Sequence, residues 1–187
     1  MEEDVHIPIA PFSIDGHVSL PEPARGLVLV AQGTGNRRPG PKGRLLARSL
    51  AAAGIGTAWL DLLTAYEGER DERGRLTWSD ANLMAGRLVI ATDWLASHAK
   101  THGLPCAYLG VGANAAAALV AAAERPSVVG VVSWEGRTAL AGSALGGVST
   151  PILMLGQVVG RDVGAPRQAA IARDWLVRAL SRAAPPG

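Results

Sequence analysis

Short, continuous apolar runs punctuate the chain, separated by stretches in which apolar residues return every three or four positions. Gly26-Leu27-Val28-Leu29-Val30-Ala31 carries no polar side chain, the pattern of a strand buried on both faces. Gly56 to Asp61, the run beginning at Cys106, Val128 to Trp134, and Pro151 to Leu155 read as further strands. Between them lie helical patterns. Arg44 to Ala53 stops at Gly54. A longer helix starts behind a cap at Ser79 or Asp80 and reaches Ala99, with Leu83, Leu88, Ile90, Ala91, Trp94 and Leu95 gathered on one side. A third helix leads to Glu124 and a last one runs from Pro166 to Leu180. Two extended stretches come first, Val5 to Ile9 and His17 to Leu20, and Ile14-Asp15-Gly16 is predicted to join them as a hairpin turn. Strands alternating with helices predict an α/β domain: a mostly parallel, doubly wound sheet covered on both faces, with the N-terminal hairpin as an antiparallel edge. No repeat or linker divides it, so residues 1–187 read as one domain. The charged stretch Tyr66 to Trp78 is predicted to be a surface loop, and Arg182 to Gly187 a frayed tail.

Composition narrows the function classes. Of 187 residues, 48% are hydrophobic and 18% charged, as in globular proteins. The net charge is only +2; the basic residues are mostly arginine, scattered, and not interleaved with aromatics, so no nucleic-acid partner is expected. One cysteine permits no internal disulfide, which suits a reducing compartment. No uncharged apolar run approaches 18 residues, and Met1-Glu2-Glu3-Asp4 opens no signal-peptide pattern. The expectation is therefore a cytoplasmic protein without membrane contact.

The densest candidate chemistry lies at Tyr108-Leu109-Gly110-Val111-Gly112-Ala113-Asn114. A buried strand, a sharp turn and a helix of small residues form the setting of a G-x-S-x-G nucleophile elbow, where a strained turn lifts a serine above the sheet. Here Gly112 stands at the serine position and Asn114 at that of the closing glycine. A second glycine-rich stretch, Gln32-Gly33-Thr34-Gly35, follows the first buried strand, and its backbone N–H groups suit an anion or a carbonyl oxygen. Both stretches converge on the crevice beyond the strand ends, where open α/β sheets bind ligands. Arg37, Arg38 and Lys42 read either as carboxylate or phosphate binders or as solvated loop charges. Glu135 follows a strand and is a candidate acid or base, or a plain surface carboxylate. Cys106 reads as a small core residue. No residues stand at metal-ligand spacing, no P-loop ending is present, and no acidic residue completes a dinucleotide fingerprint, so no metal or cofactor is expected.

Several segments resemble one family in the right order. Gly26 to Arg38 is similar to the oxyanion-loop segment of the dienelactone-hydrolase-like α/β-hydrolases, which often reads A-H-G-S-G-S-S-R. Asp61-Leu62-Leu63-Thr64, Arg87-Leu88 with Ala91 to Leu95, Tyr108 to Glu124, and Asp174-Trp175-Leu176 resemble its later segments. The resemblance spans residues 5–156 and the final helix. It implies an α/β-hydrolase fold without a cap domain. It also implies that Gly112 occupies the nucleophile position, that Gln32 occupies the usual histidine of the oxyanion loop, and that Arg38 matches a basic residue. The catalytic acid falls near Val159 without a gap, or at Asp162 with a short insertion. The family has one more strand and a histidine after the acid. Here the last helix follows Asp162 almost directly, and His6, His17, His98 and His102 all precede it. The last strand is therefore expected to be missing.

These readings set the functional expectation. A hydrolase without its serine and histidine forfeits turnover on the order of 10⁶-fold. The leading expectation is a catalytically degenerate homologue, a pseudoenzyme that binds a small molecule or a protein partner or serves as a structural subunit. Gln32, Gly33, Thr34, Gly35, Arg38, Gly112 and Ala113 would line its ligand site. The alternative is a non-nucleophilic lyase, isomerase or cyclase using Glu135 or Asp162. A third reading is an esterase with relocated catalytic residues. A missing last strand leaves the Ile152–Leu155 edge open, to be covered by residues 156–166, by a second copy forming a homo-oligomer, or by another partner.

Overall fold

Seven strands form one mixed sheet in the order β1-β2-β4-β3-β5-β6-β7. The computed structural model describes residues 1–32, 39–64, 67, 81–112, 114–156 and 164–183. The strands are β1 (Glu2–Ile9), β2 (Phe12–Ser19), β3 (Gly26–Gln32), β4 (Ile55–Asp61), β5 (Cys106–Val111), β6 (Val131–Trp134) and β7 (Ile152–Leu155). β1 and β2 are antiparallel, β2 meets β4 antiparallel, and every other pairing is parallel. Among the described residues they are accompanied by the helices α1 (Pro41–Ala52), α2 (Ala81–Ser97), α3 (Asn114–Glu124) and α4 (Gly164–Ala183). A 3₁₀ segment, Thr138–Gly147, kinks at Gly142, whose φ is +54°.

The period of two along each strand sorts the apolar runs into two cores. Leu27, Leu29, Ala31, Leu60 and Tyr108 belong to the core shared with α2 and α3. Val28, Val30, Trp59, Leu109 and Trp134 belong to the core shared with α1 and α4. Both faces of the parallel strands are thus dry, which is why β4 is buried at all seven positions. The helices obey the same logic. α1 begins at Pro41, whose missing N–H costs nothing in a first turn, and it buries Leu46 and Leu50. Its start lies three residues ahead of the sequence expectation.

The hairpin corrects the sequence reading. Its turn is at Ala10-Pro11, with Ile9 opposite Phe12, and Ile14-Asp15-Gly16 lies inside β2. Gly16 is needed for close approach, not for a turn: a Cβ there would sit 2.9 Å from the Leu60 side chain and 3.1 Å from the Trp59 carbonyl oxygen. The alternation Ile14, Gly16, Val18, all buried, carried that information. The hairpin's other face carries two cross-strand pairs, His6–Asp15 at 2.6 Å and His17–Asp4 at 2.7 Å. The 3₁₀ segment had no signature, because its small residues keep no period.

β7 closes one end of the sheet, and no described strand pairs with its outer side. Met154 is 55% exposed there. Residues 66–78 lie outside the described residues except for Glu67. Among the described residues, no helix is long and apolar enough to cross a membrane.

Candidate functional site

β5 leads to a turn that reverses at Gly112 with φ +59°, and α3 starts two residues later. The turn is stitched to the next strand. The Gly112 N–H donates to the Trp134 carbonyl at 3.1 Å, and the Gly112 carbonyl accepts from the N–H groups of Arg137 at 3.1 Å and Ala115 at 3.3 Å. A left-handed φ is the conformation a nucleophile elbow requires, and glycine adopts it without strain. Among the described residues beyond its chain neighbours, no atom lies within 4 Å of where a Gly112 Cβ would stand. Gly110 is the opposite case: its missing Cβ lets α3 close onto β5, with the Asn114 carbonyl oxygen 2.6 Å from that position. Asn114, where the motif has its closing glycine, is 2% exposed, and its Oδ1 finds no hydrogen-bond partner among the described residues.

The strand ends bring some of the candidates together. Gly112 and Glu135 follow the adjacent strands β5 and β6. Glu135 has φ +51°, the one non-glycine residue with positive φ among those described. Its N–H donates to the Leu155 carbonyl at 2.7 Å, and its carboxylate stands 3.7 Å from the Lys42 ammonium. The backbone of Gln32 ends β3, in register with Asp61 of β4. Gly33, Thr34, Gly35, Arg38, Ala113, Val159 and Asp162 lie outside the described residues.

The four histidines and Cys106 lie away from this turn. His98 and His102 occupy the connection entering the amino end of β5, one strand length from Gly112, or about 20 Å. His6 and His17 sit on β1 and β2, four and three strands away from β5, or about 19 and 14 Å, each engaged with an aspartate. Cys106 begins β5, again at the far end, and burial pushes its thiol up to about 11. That agrees with a core role, since a reactive thiol needs a lowered value. Among the described residues, no group of three or more His, Cys, Asp or Glu is placed to hold a metal.

Sequence reasoning missed one partly buried ion pair. Arg87 of α2 reaches Glu67 through two hydrogen bonds of 2.6 Å and also donates to the Leu62 carbonyl at 2.7 Å. Glu67 accepts from the Thr64 N–H and hydroxyl, both at 2.9 Å, while its own N–H reaches the Thr64 hydroxyl at 3.3 Å. This is the reciprocal pattern of a capping box, and the Thr-x-x-Glu spacing was its readable signal. The Arg87 guanidinium holds the Glu67 carboxyl at about 2, against burial, which acts the other way.

A parallel sheet with an antiparallel N-terminal edge, an elbow turn and helices on both faces defines an α/β-hydrolase fold. A dienelactone hydrolase from Anabaena variabilis superposes with a TM-score of 0.86 at 34% identity, covering 96% of this chain and 98% of that one. The chain belongs to the dienelactone-hydrolase-like α/β-hydrolase family. Est1E from Butyrivibrio proteoclasticus shares the fold at 9% identity and a TM-score of 0.74, over 95% of this chain and 99% of that one. A Mycobacterium tuberculosis protein, provisionally named a phosphoribosyl transferase, is 43% identical over 162 residues. That match takes in 86% of this chain but 35% of the relative, so the chain spans about a third of that protein's length. No protein-family model matches the chain.

Proposed function

We propose that this domain is a non-hydrolytic member of its family, acting by binding or assembly and not by acyl transfer. The observation that carries the reading is the glycine at the apex of an intact elbow: the backbone keeps the left-handed turn, and the position that would present the nucleophile has no side chain. The placement of the four histidines supports it, because none lies within hydrogen-bond reach of the apex. The M. tuberculosis relative, about a third of which matches this chain, is named a phosphoribosyl transferase, and that name supports a role for the domain beside such an activity. A second copy or such a partner would also cover the open side of β7.

A fluorophosphonate probe tests the central claim. The wild-type protein is expected to stay unlabelled. Gly112→Ser is expected to fold, since no described atom crowds the Cβ and the positive φ costs about 1 kcal/mol. It too should stay unlabelled and hydrolyse p-nitrophenyl acetate no faster than the wild type. Labelling of either protein at the rate of an active serine hydrolase overturns the reading.

A further inference from the structure

The two margins of the sheet are built differently. β1 is guarded: Glu2, Glu3 and Asp4 open it and Pro8 stands near its end, the devices that keep a free strand edge from pairing. β7, Ile152-Leu153-Met154-Leu155, carries no charge and no proline. Its surroundings are apolar on both faces of the sheet. On one face Ile152 packs at the margin of the core shared with α2 and α3, and Met154, two residues on, is largely exposed. On the other face Leu153 and Trp175 border the core shared with α1 and α4. α4 runs along that side. Gln168 donates to the Gly156 carbonyl at 2.6 Å beyond one end of β7, and Trp175 and Arg178 line a small cavity with Pro151 at the other. Ile171 lies between those levels, three residues from Gln168 and four from Trp175 and so on the same helical face, and it is 42% exposed.

The backbone of β7 has a defined outward set. The Pro151 carbonyl accepts from the Val131 N–H at 3.0 Å, and the Leu155 carbonyl from the Glu135 N–H at 2.7 Å. Backbone groups alternate sides along a strand, so residues 151, 153 and 155 serve β6, while Ile152 and Met154 turn their N–H and C=O outward. Two outward residues flanking a central one make the strand its own complement. About a two-fold axis through Leu153, Ile152 of one protomer pairs with the partner's Met154, and Met154 with the partner's Ile152, which gives four hydrogen bonds. The same axis keeps like charges apart. Arg178 and Arg182 stand beside Pro151, two residues from the axis, so their counterparts lie about 13 Å away along the joint, beyond the screening length of about 8 Å.

We infer that the outer side of β7 is a homodimer joint, occupied by a second copy paired antiparallel about Leu153, so that two sheets run as one. The inference deepens the assembly part of the reading above and rests on it. Light scattering behind size-exclusion chromatography is expected to give twice the mass of the chain at about 100 µM and a monomer near about 1 µM, a Kd of about 10 µM, as suits a joint of four residues. Met154→Lys and Met154→Pro should both be monomeric at the higher concentration. The lysine adds a charge at an exposed side chain, and the proline removes an outward N–H, so neither takes a bond from β6. Met154→Lys should melt within about 2 °C of the wild type at about 1 µM, which separates assembly from folding. Phe12→Lys alters an equally exposed side chain at the tip of the guarded hairpin and should leave the dimer intact. Amide exchange at Ile152 and Met154 should slow about tenfold between the two concentrations in the wild type and stay constant in Met154→Lys. A monomer at both concentrations, a dimer that survives both Met154 substitutions, a dimer lost with Phe12→Lys, or exchange at Ile152 and Met154 that ignores concentration overturns the joint. Those outcomes leave the non-hydrolytic reading standing, whereas fluorophosphonate labelling would overturn that reading and not the joint.

Discussion

Gly110→Ala is expected to destabilise the protein by about 3 kcal/mol or more, while Gly112→Ala, two residues on, costs about 1 kcal/mol. The two substitutions add the same methyl group to the same turn. At Gly110 it would collide with the Ala115 Cα and stand 2.6 Å from the Asn114 carbonyl oxygen and 2.7 Å from the Ala115 nitrogen. All three atoms are backbone, so no side chain can swing aside and α3 must lift off β5. Seven of the eleven residues of α3 are alanine and its first nine residues are buried, which shows how tightly it seats. A small helix translation there opens voids along the whole interface. At Gly112 the methyl meets no described atom within 4 Å beyond its chain neighbours, and the positive φ is what resists it. Urea denaturation of both variants checks the contrast. Equal losses would mean that α3 does not pack against Gly110 as described.

Arg87→Met is expected to cost about 3 kcal/mol and to change the acid sensitivity of the fold. The substitution keeps the length of the apolar stem but leaves the Glu67 carboxylate and the Leu62 carbonyl without their buried donor. Arg87→Lys should fall between, because one ammonium cannot reproduce the two-pronged contact. The pH dependence follows from the depressed Glu67 carboxyl. Its folded value of about 2 lies below the ordinary 4.5, so the unfolded chain binds the proton more readily. The stabilisation is therefore complete above pH 4.5 and is lost as the pH falls from there toward 2. Glu67 is partly exposed, and solvent screening reduces the contribution to about 2 kcal/mol. Denaturation midpoints recorded between pH 6 and pH 3 should decline less steeply in Arg87→Met than in the wild type. Parallel declines would show that another carboxylate governs that window.

The Lys42–Glu135 and Arg87–Glu67 pairs are the contacts that the residues alone did not announce. Lys42 and Glu135 are 93 positions apart, and Arg87 and Glu67 are 20 apart. Neither spacing belongs to a helix turn or a strand period, so no local pattern joins them. Trp59 and Trp134 read as ordinary strand residues, and only their shared face reveals a common wall. The hairpin turn was misplaced for a related reason. Gly16 reads as a turn residue until Leu60 and Trp59 of the neighbouring strand are seen to leave it no room for a side chain.

What the sequence determined by itself was the order of the elements and the character of the elbow. The doubly buried strands are uninterrupted apolar runs, and the turn at Gly112 is bounded by glycines and alanines that only a sharp strand-to-helix connection needs. Those are local properties, set by side-chain size, backbone freedom and the periods of two and 3.6. The tertiary structure alone decided which charges meet and how far each histidine stands from Gly112. Those depend on strand order and helix packing, which bring together residues that share no local period.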